Sequence, residues 1–513
     1  MLAINYRKIS IILGLFLLTE ILSYIGFASS IANPFIFGFF ILTALFVTVY
    51  KLEYGILLVA AELLISSFGY LIYLDLNGSR LSLRIILWLI VMAVFFFQFL
   101  GQLIKEKNQS VYWKNLKDFV AWKWFFLLAF FILIGLINAI FRGNDLMTVF
   151  ADFNAWLYFL MLLPVIAVYS HSEKSIVTGQ ILSGKQSSAK LELLLNIFFA
   201  ASLWLSLKTL FLLFVFTHNL SIGPEIYTWL RRTLVGEMTP TASGWPRVFL
   251  QGQIYPVVAF LIIFWRRAQD LQWKEFFKIN NWPLFVVSSL FLSSVLISFS
   301  RSFWLGLAAV MSLSFILLWS LNSFKKMMLV AGWAALSFLG SFLIIYLVAA
   351  WPYWNVNGAS NFSSGLVSRV TASGEAALVS RWSLLPVLSQ AILKEPLFGQ
   401  GYGATVTYFS SDPRVLENNS SGQYTTYAFE WGYLDIWLKL GLVGLLAYLI
   451  LLWQILSAAW QQGLKQNNYL WFGIGAALVF LAVINFFTPY LNHPLGIGVV
   501  IAGSCLIWLN KVY

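Results

Sequence analysis

Apolar residues run through this chain in blocks close to bilayer length, separated by short polar stretches. A helix needs about 20 apolar residues to cross a membrane. Blocks of that kind fall at 9–29, 31–50, 54–74, 84–104, 121–141, 150–169, 193–216, 248–265, 283–300, 302–321, 327–350, 440–458, 468–488 and 495–510. The pattern predicts an all-α polytopic membrane protein with about 12–14 transmembrane helices. The first block follows MLAINYRKIS with no convincing small-residue cleavage site, so it reads as a span and not as a removable leader. The apolar stretch 282–321 is interrupted by SFSRS at 298–302, which predicts two spans with a tight turn at Arg301. Two connections on one side are long, 217–247 and 351–439. The second is too long for a structureless loop and reads as a large, partly helical extracytoplasmic loop. The organisation expected is 1–216 and 217–350 as N-terminal and central helices, 351–439 as the loop, and 440–513 as the C-terminal helices.

Composition agrees with this pattern: 60% of residues are hydrophobic and 10% charged, against about 25% charged in soluble domains. The net charge of +12 would suggest nucleic acid in a soluble protein. Here its distribution matters more. One set of loops holds 16 Lys and 3 Arg, from Arg7 and Lys8 to Lys511, and the other holds 10 Arg and 2 Lys. The positive-inside rule makes the lysine side cytoplasmic, with both termini there, and no nucleic-acid partner is expected. On the outer side the cations are Arg80, Arg84, Arg142, Arg231, Arg232, Arg247, Arg301, Arg369, Arg381 and Arg414, with Lys394 and Lys439. Arginine is the residue of bidentate phosphate recognition. An outward-facing site for a phosphate-bearing ligand follows as an expectation, beside the plainer reading that these arginines pair with acids or cap helices.

Metal and thiol chemistry find no support in the sequence. Cys505 is the sole cysteine, His171, His218 and His493 are scattered, and the outer acids stand apart from one another. No metal or cofactor is expected. The glycine stretch FGQGYGA at 398–404 reads as a helix C-cap and turn before it reads as a phosphate cradle, because it lacks a P-loop lysine and a flanking strand. Glu20, Glu62 and Lys208 lie within spans. Interhelical polar contacts explain them, and a transporter would also use such charges. In YTTYAFEWGYLDIWLK, 424–439, three charges precede the apolar run 440–458. Residues 425–439 are expected to be a helical extension standing about 20 Å out of the membrane, with Asp435 and Lys439 an i,i+4 pair upon it.

Four segments, taken in order, carry a resemblance: PRVFLQGQIYP at 246–256, ISFSRSFWLGLAA at 297–309, SRWSLLPVLSQAILKEPLFGQGYG at 380–403 and FEWGYLDIWLKLGLVGLLAYL at 429–449. Together they resemble the O-antigen ligase and Wzy-type polymerase superfamily of bacterial envelope polysaccharide synthesis. The resemblance covers the last half of the chain. It implies a GT-C type glycosyltransferase of the cytoplasmic membrane. The donor would be an undecaprenyl-pyrophosphate-linked oligosaccharide, transferred at the outer face to a glycan or lipid-linked acceptor, without metal and with inversion. It places Arg247, Arg301 and Arg381 on the family's arginines. Where the ligase pattern has histidine, this chain has Glu430, so a polymerase is preferred over a ligase. Glu430 would serve as general base, and Arg247 and Arg301 would offset charge on the leaving pyrophosphate. Arg381, Tyr433, Tyr427 and Trp431 would contact substrate. Two other readings are a lipid-linked oligosaccharide flippase and a non-catalytic component of a polysaccharide assembly complex.

Overall fold

The computed structural model describes residues 6–76, 79–105, 116–169, 184–241, 243–272, 278, 282–352, 357–371, 376–411 and 413–509. Several cytoplasmic-side lysines of the sequence reading, Lys107, Lys114, Lys174, Lys274 and Lys511, lie outside them, as do Glu375 and Asp412. Nine helices among the described residues are long and apolar enough to cross a membrane. Shorter helices, Leu52–Ile65, Ile254–Asp270, Trp282–Ile297, Leu470–Ile484 and Pro494–Leu509, complete the bundle. The chain is an all-α polytopic membrane protein.

The layers are set apart by burial. Ile254–Asp270 is buried on nearly every face and packs on Leu470–Ile484 and Trp282–Ile297. Tyr6–Ala28 and Ala32–Tyr50 lie at the periphery and expose Ile25, Phe35, Leu42 and Phe46 sideways, as expected where lipid takes the place of protein.

Two ends are set apart by their contacts. At one, Lys8 Nζ bonds Glu192 (2.9 Å), Lys326 Nζ donates to Gln269 O (3.1 Å) and Gln269 Nε2 donates to Asn467 O (2.8 Å). At the other, the arginine-bearing loops meet. Among the described residues that end also holds three two-stranded antiparallel hairpins, Tyr73–Leu76 with Ser79–Ser82, Gly236–Pro240 with Pro246–Leu250, and Val406–Phe409 with Gln423–Thr426. Hydrophobic blocks alone did not reveal these strands, since each is only four or five residues long.

Several expectations are corrected. The block 54–74 is a helix only to Ile65. Ser67 and Gly69 take left-handed backbone (φ 52° and 90°), and the chain turns into the first hairpin. The block 150–169 is a span, Leu146–Tyr169, that tightens to a 3-10 helix over Asn154–Met161. Arg84, counted among outer-loop cations, is buried against Glu62 (2.8 Å). Glu20 likewise closes on Lys208 (2.7 Å), whose ammonium also lies 4.8 Å from the Trp229 ring centre. These charges at membrane depth are tied to each other between helices.

Candidate active site

The expected turn at Arg301 is present, between helix Trp282–Ile297 and helix Arg301–Leu321. Ser298 Oγ bonds back to Val295 O and accepts from Ser300 N (3.2 Å), while Phe299 takes a left-handed conformation (φ 48°) with its ring fully buried. The ending helix leaves carbonyls without intrahelical partners. Arg247 Nε donates to Ser298 O (2.9 Å) and Arg369 Nε to Phe299 O (3.2 Å); Arg301 Nε donates to Arg369 O (2.7 Å). Three arginines from three segments therefore converge on one turn. Cations suit a helix C-terminus, and the next helix begins here with its positive end.

Each arginine is delivered by a distinct piece of chain. Arg247 sits in the hairpin strand Pro246–Leu250 opposite Thr239, with its guanidinium 5.2 Å from the Phe249 ring centre. Arg369 closes the loop helix Asn357–Thr371. That helix docks through Phe362, whose ring meets Trp245 (5.0 Å) and Phe299 (5.7 Å). Beneath the turn lies a cavity of about 620 Å³ between four helices, with Phe260, Leu296, Trp304, Met311, Phe338 and Phe342 in its walls and Leu366 at its loop-helix edge.

The second group is centred on Glu430. Phe429 is buried with Leu384, Leu388, Ile392 and Val406, and Glu430 beside it is exposed. The loop helix Ala376–Lys394 buries Leu384, Leu388 and Ile392 at helical spacing, and Arg381 continues that stripe by one turn. It meets Glu430 in an ion pair between Nε and Oε2. Trp431 Nε1 donates to Arg381 O (3.0 Å), which fixes the indole against the same helix. Tyr433 donates its hydroxyl to Ala482 O (2.6 Å) and packs on Phe486, so it anchors the helix start. Tyr427 is half-buried; burial, then the nearby Asp152 carboxylate, raises its phenol above the usual range.

The two groups are linked through residues 486–488. The Phe487 ring lies 5.9 Å from that of Trp431, and Thr488 Oγ1 is 3.1 Å from Ser302 Oγ, next to Arg301. Arg247 and Arg301 are thus brought together, as are Arg381, Glu430 and Trp431, with a short chain segment between the two sets.

Residues 425–439 are not a protruding helix. Gln423–Thr426 is a strand and the helix begins at Gly432. Asp435 and Lys439 are both buried, and Lys439 Nζ bonds Asp435 and Asp152, each at 2.6 Å. The protruding reading failed because the helix breaks at Gly441 (φ 74°, ψ 174°) and its outer half is covered. FGQGYGA is what covers it. Gln400 N and Gly401 N donate to Leu438 O (2.7 Å) and Lys439 O (3.2 Å), and Leu442 N donates to Pro396 O (2.9 Å). Tyr402 N donates to Gly135 O (3.3 Å) and Gly403 N to Asp152 Oδ2 (2.9 Å). Amides that would cradle a phosphate are engaged by the broken helix, by Gly135 O and by Asp152. A Cβ on Gly441 would stand 2.0 Å from Leu397 O. Gly441→Ala is therefore expected to cost about 1–3 kcal/mol from backbone strain alone, seen as a lower unfolding temperature in detergent; an unchanged temperature would contradict the clamp.

Sequence reasoning missed Asp152 and the part played by Arg369. Asp152 carried a signal, an acid inside an apolar run. Among the described residues, no group of three or more His, Cys, Asp or Glu gathers as metal ligands would.

Residues 284–449 match the family model described as O-antigen ligase. The match spans the arginine turn, the loop helices Asn357–Thr371 and Ala376–Lys394, the Arg381–Glu430 pair and the helix break at Gly441, and begins after Arg247. No curated protein matches the chain. Over this segment, about a third of its length, the chain is similar to the O-antigen ligase family.

Proposed function

We propose that the protein is a membrane glycosyltransferase that moves a glycan from undecaprenyl pyrophosphate to an acceptor sugar, as a polysaccharide polymerase or ligase. The observation that carries this reading is the convergence of Arg247, Arg301 and Arg369 on one turn directly above a large apolar cavity. A polyprenyl chain fits the cavity's chemistry, and a pyrophosphate fits three guanidinium groups at a helix start. The lysine-rich end lies in the cytoplasm with both termini, in a bacterial cytoplasmic membrane, and the arginine end faces outward.

In the reaction, Glu430 takes the proton of an acceptor hydroxyl. The hydroxyl oxygen attacks the anomeric carbon from the face opposite the pyrophosphate. The bond from that carbon to the phosphate oxygen breaks, and undecaprenyl pyrophosphate leaves with the electron pair. Configuration at the carbon inverts. The arginines offset the charge that grows on the leaving group. Arg381 orients the base, as a third group orients a base in other catalytic sets. Glutamate in place of the ligase histidine favours the polymerase.

The test is transfer by the full-length protein in liposomes, with undecaprenyl-pyrophosphate-linked glycan as donor and EDTA present. Longer or transferred glycan is expected, and dependence on a divalent cation would sink the mechanism. Arg301→Lys keeps the charge but loses the planar fork. Its kcat is expected to fall about 100-fold with an unchanged unfolding temperature. A folded variant with full kcat removes Arg301 from the site.

A further inference from the structure

We infer that Trp382, Trp431 and Phe487 form the stacking floor of an acceptor-glycan subsite, an inference that rests on the proposed transfer reaction. The three rings touch in sequence, with centres 5.5 Å apart and planes at 64° for Trp382 and Trp431, and 5.9 Å and 51° for Trp431 and Phe487. Trp382 is 56% exposed and Phe487 36%. Trp431 is held still by its indole bond to Arg381 O. An exposed aromatic row in a membrane protein often marks the lipid interface, but two features point elsewhere. The Arg381–Glu430 ion pair is formed by the chain neighbours of Trp382 and Trp431, with both side chains more than a third exposed, a placement that belongs in water. The flanking contacts are polar, Ser383 Oγ to Phe409 O (2.8 Å) and Ser380 Oγ to Ser410 Oγ (2.8 Å).

Rings with a charged, hydrogen-bonding pair at their side match the two faces of a pyranose. Its C–H face stacks on the ring, and its hydroxyls bond the carboxylate and guanidinium. The row also has direction. From Phe487 it continues through Thr488 and Ser302 to Arg301. A glycan laid along it has one end beside Glu430 and points toward the arginine turn.

Saturation-transfer NMR tests this on the detergent-solubilised full chain. The probe is the lipid-free oligosaccharide released by mild acid from the host's own lipid-linked pool. The wild type is expected to transfer saturation to sugar ring protons. Trp382→Ala and Phe487→Ala are each expected to weaken binding about tenfold. Trp453→Phe, on the lateral lipid-facing surface, is expected to bind as the wild type does. In the transfer assay, Trp382→Ala is expected to raise the acceptor KM with kcat kept. Wild-type binding by Trp382→Ala overturns the subsite, as does a wild type that shows no saturation transfer. Quenching of Trp382 fluorescence by brominated phospholipid would assign the row to the lipid interface instead. Glycan bound on the rings without any transfer would leave the subsite standing and refute the enzymatic reading.

Discussion

Replacing Lys439 by methionine is expected to lower the unfolding temperature of the protein in detergent by roughly 10 °C and to abolish glycan transfer. Lys439 is almost fully buried and holds Asp435 and Asp152 on one ammonium. Asn492 Nδ2 donates a hydrogen bond to Asp435, and Gly403 N donates one to Asp152. Methionine keeps the length of the side chain and removes the charge. Two buried carboxylates then face each other without a cation, and breaking a buried pair in this way costs about 3–5 kcal/mol. The loss reaches the site because this cluster ties helix Leu146–Phe153 to the helix half that follows Glu430 and Trp431. Neutralising the acids in the same protein, as Lys439→Met with Asp435→Asn and Asp152→Asn, is expected to recover most of the unfolding temperature. A single variant as stable as the wild type would show that the three charges do not hold the site together.

The Asp435–Lys439 pair shows what could be read in the sequence and what could not. Its i,i+4 spacing was legible, because four residues of helix place two side chains on one face. Its burial was not. Burial depends on Asp152, 287 residues from Lys439 in the chain, and on a glycine loop folding over a helix break. The same division holds elsewhere. The spans and the turn at Arg301 were legible because bilayer length and a mid-stretch arginine are local signals. The convergence of Arg247 and Arg369 on that turn was not, since each arrives from its own long loop. Glu430 and Arg381 were each singled out by position within a motif, yet nothing local says that they pair. The short hairpins escaped because four-residue strands leave little periodicity to read.

The three glycines of FGQGYGA illustrate a signal with two meanings. Gly399, Gly401 and Gly403 all have positive φ, which is the backbone a phosphate-binding turn also needs. Here the same conformation lets the chain approach other backbone, and a Cβ on Gly401 would meet Ala139 N at 2.3 Å. Close approach to protein and close approach to a ligand leave the same trace in a sequence. The destination of the amides distinguishes them, and that is a property of the fold.

Glu430→Gln is expected to reduce kcat by about 10²–10⁴-fold while leaving stability and donor binding nearly unchanged. Glutamine has the shape of glutamate and still offers Arg381 a carbonyl oxygen. The ion pair it weakens is half in water, with Glu430 52% exposed, and such pairs contribute only about 0–1 kcal/mol. The donor is held by the arginine turn and the apolar cavity in the proposed site, and neither includes Glu430. What glutamine cannot do is accept the proton of the acceptor hydroxyl. The variant therefore separates the base from the clamp: Arg301→Lys impairs departure of the pyrophosphate, whereas Glu430→Gln impairs activation of the acceptor. Glu430→Asp, which keeps the carboxylate but draws it back by one methylene, is expected to fall between glutamine and the wild type. The measurement is single-turnover transfer in liposomes at saturating donor, with donor affinity and unfolding temperature recorded on the same preparations. Turnover by Glu430→Gln within tenfold of the wild type would move the base to another residue.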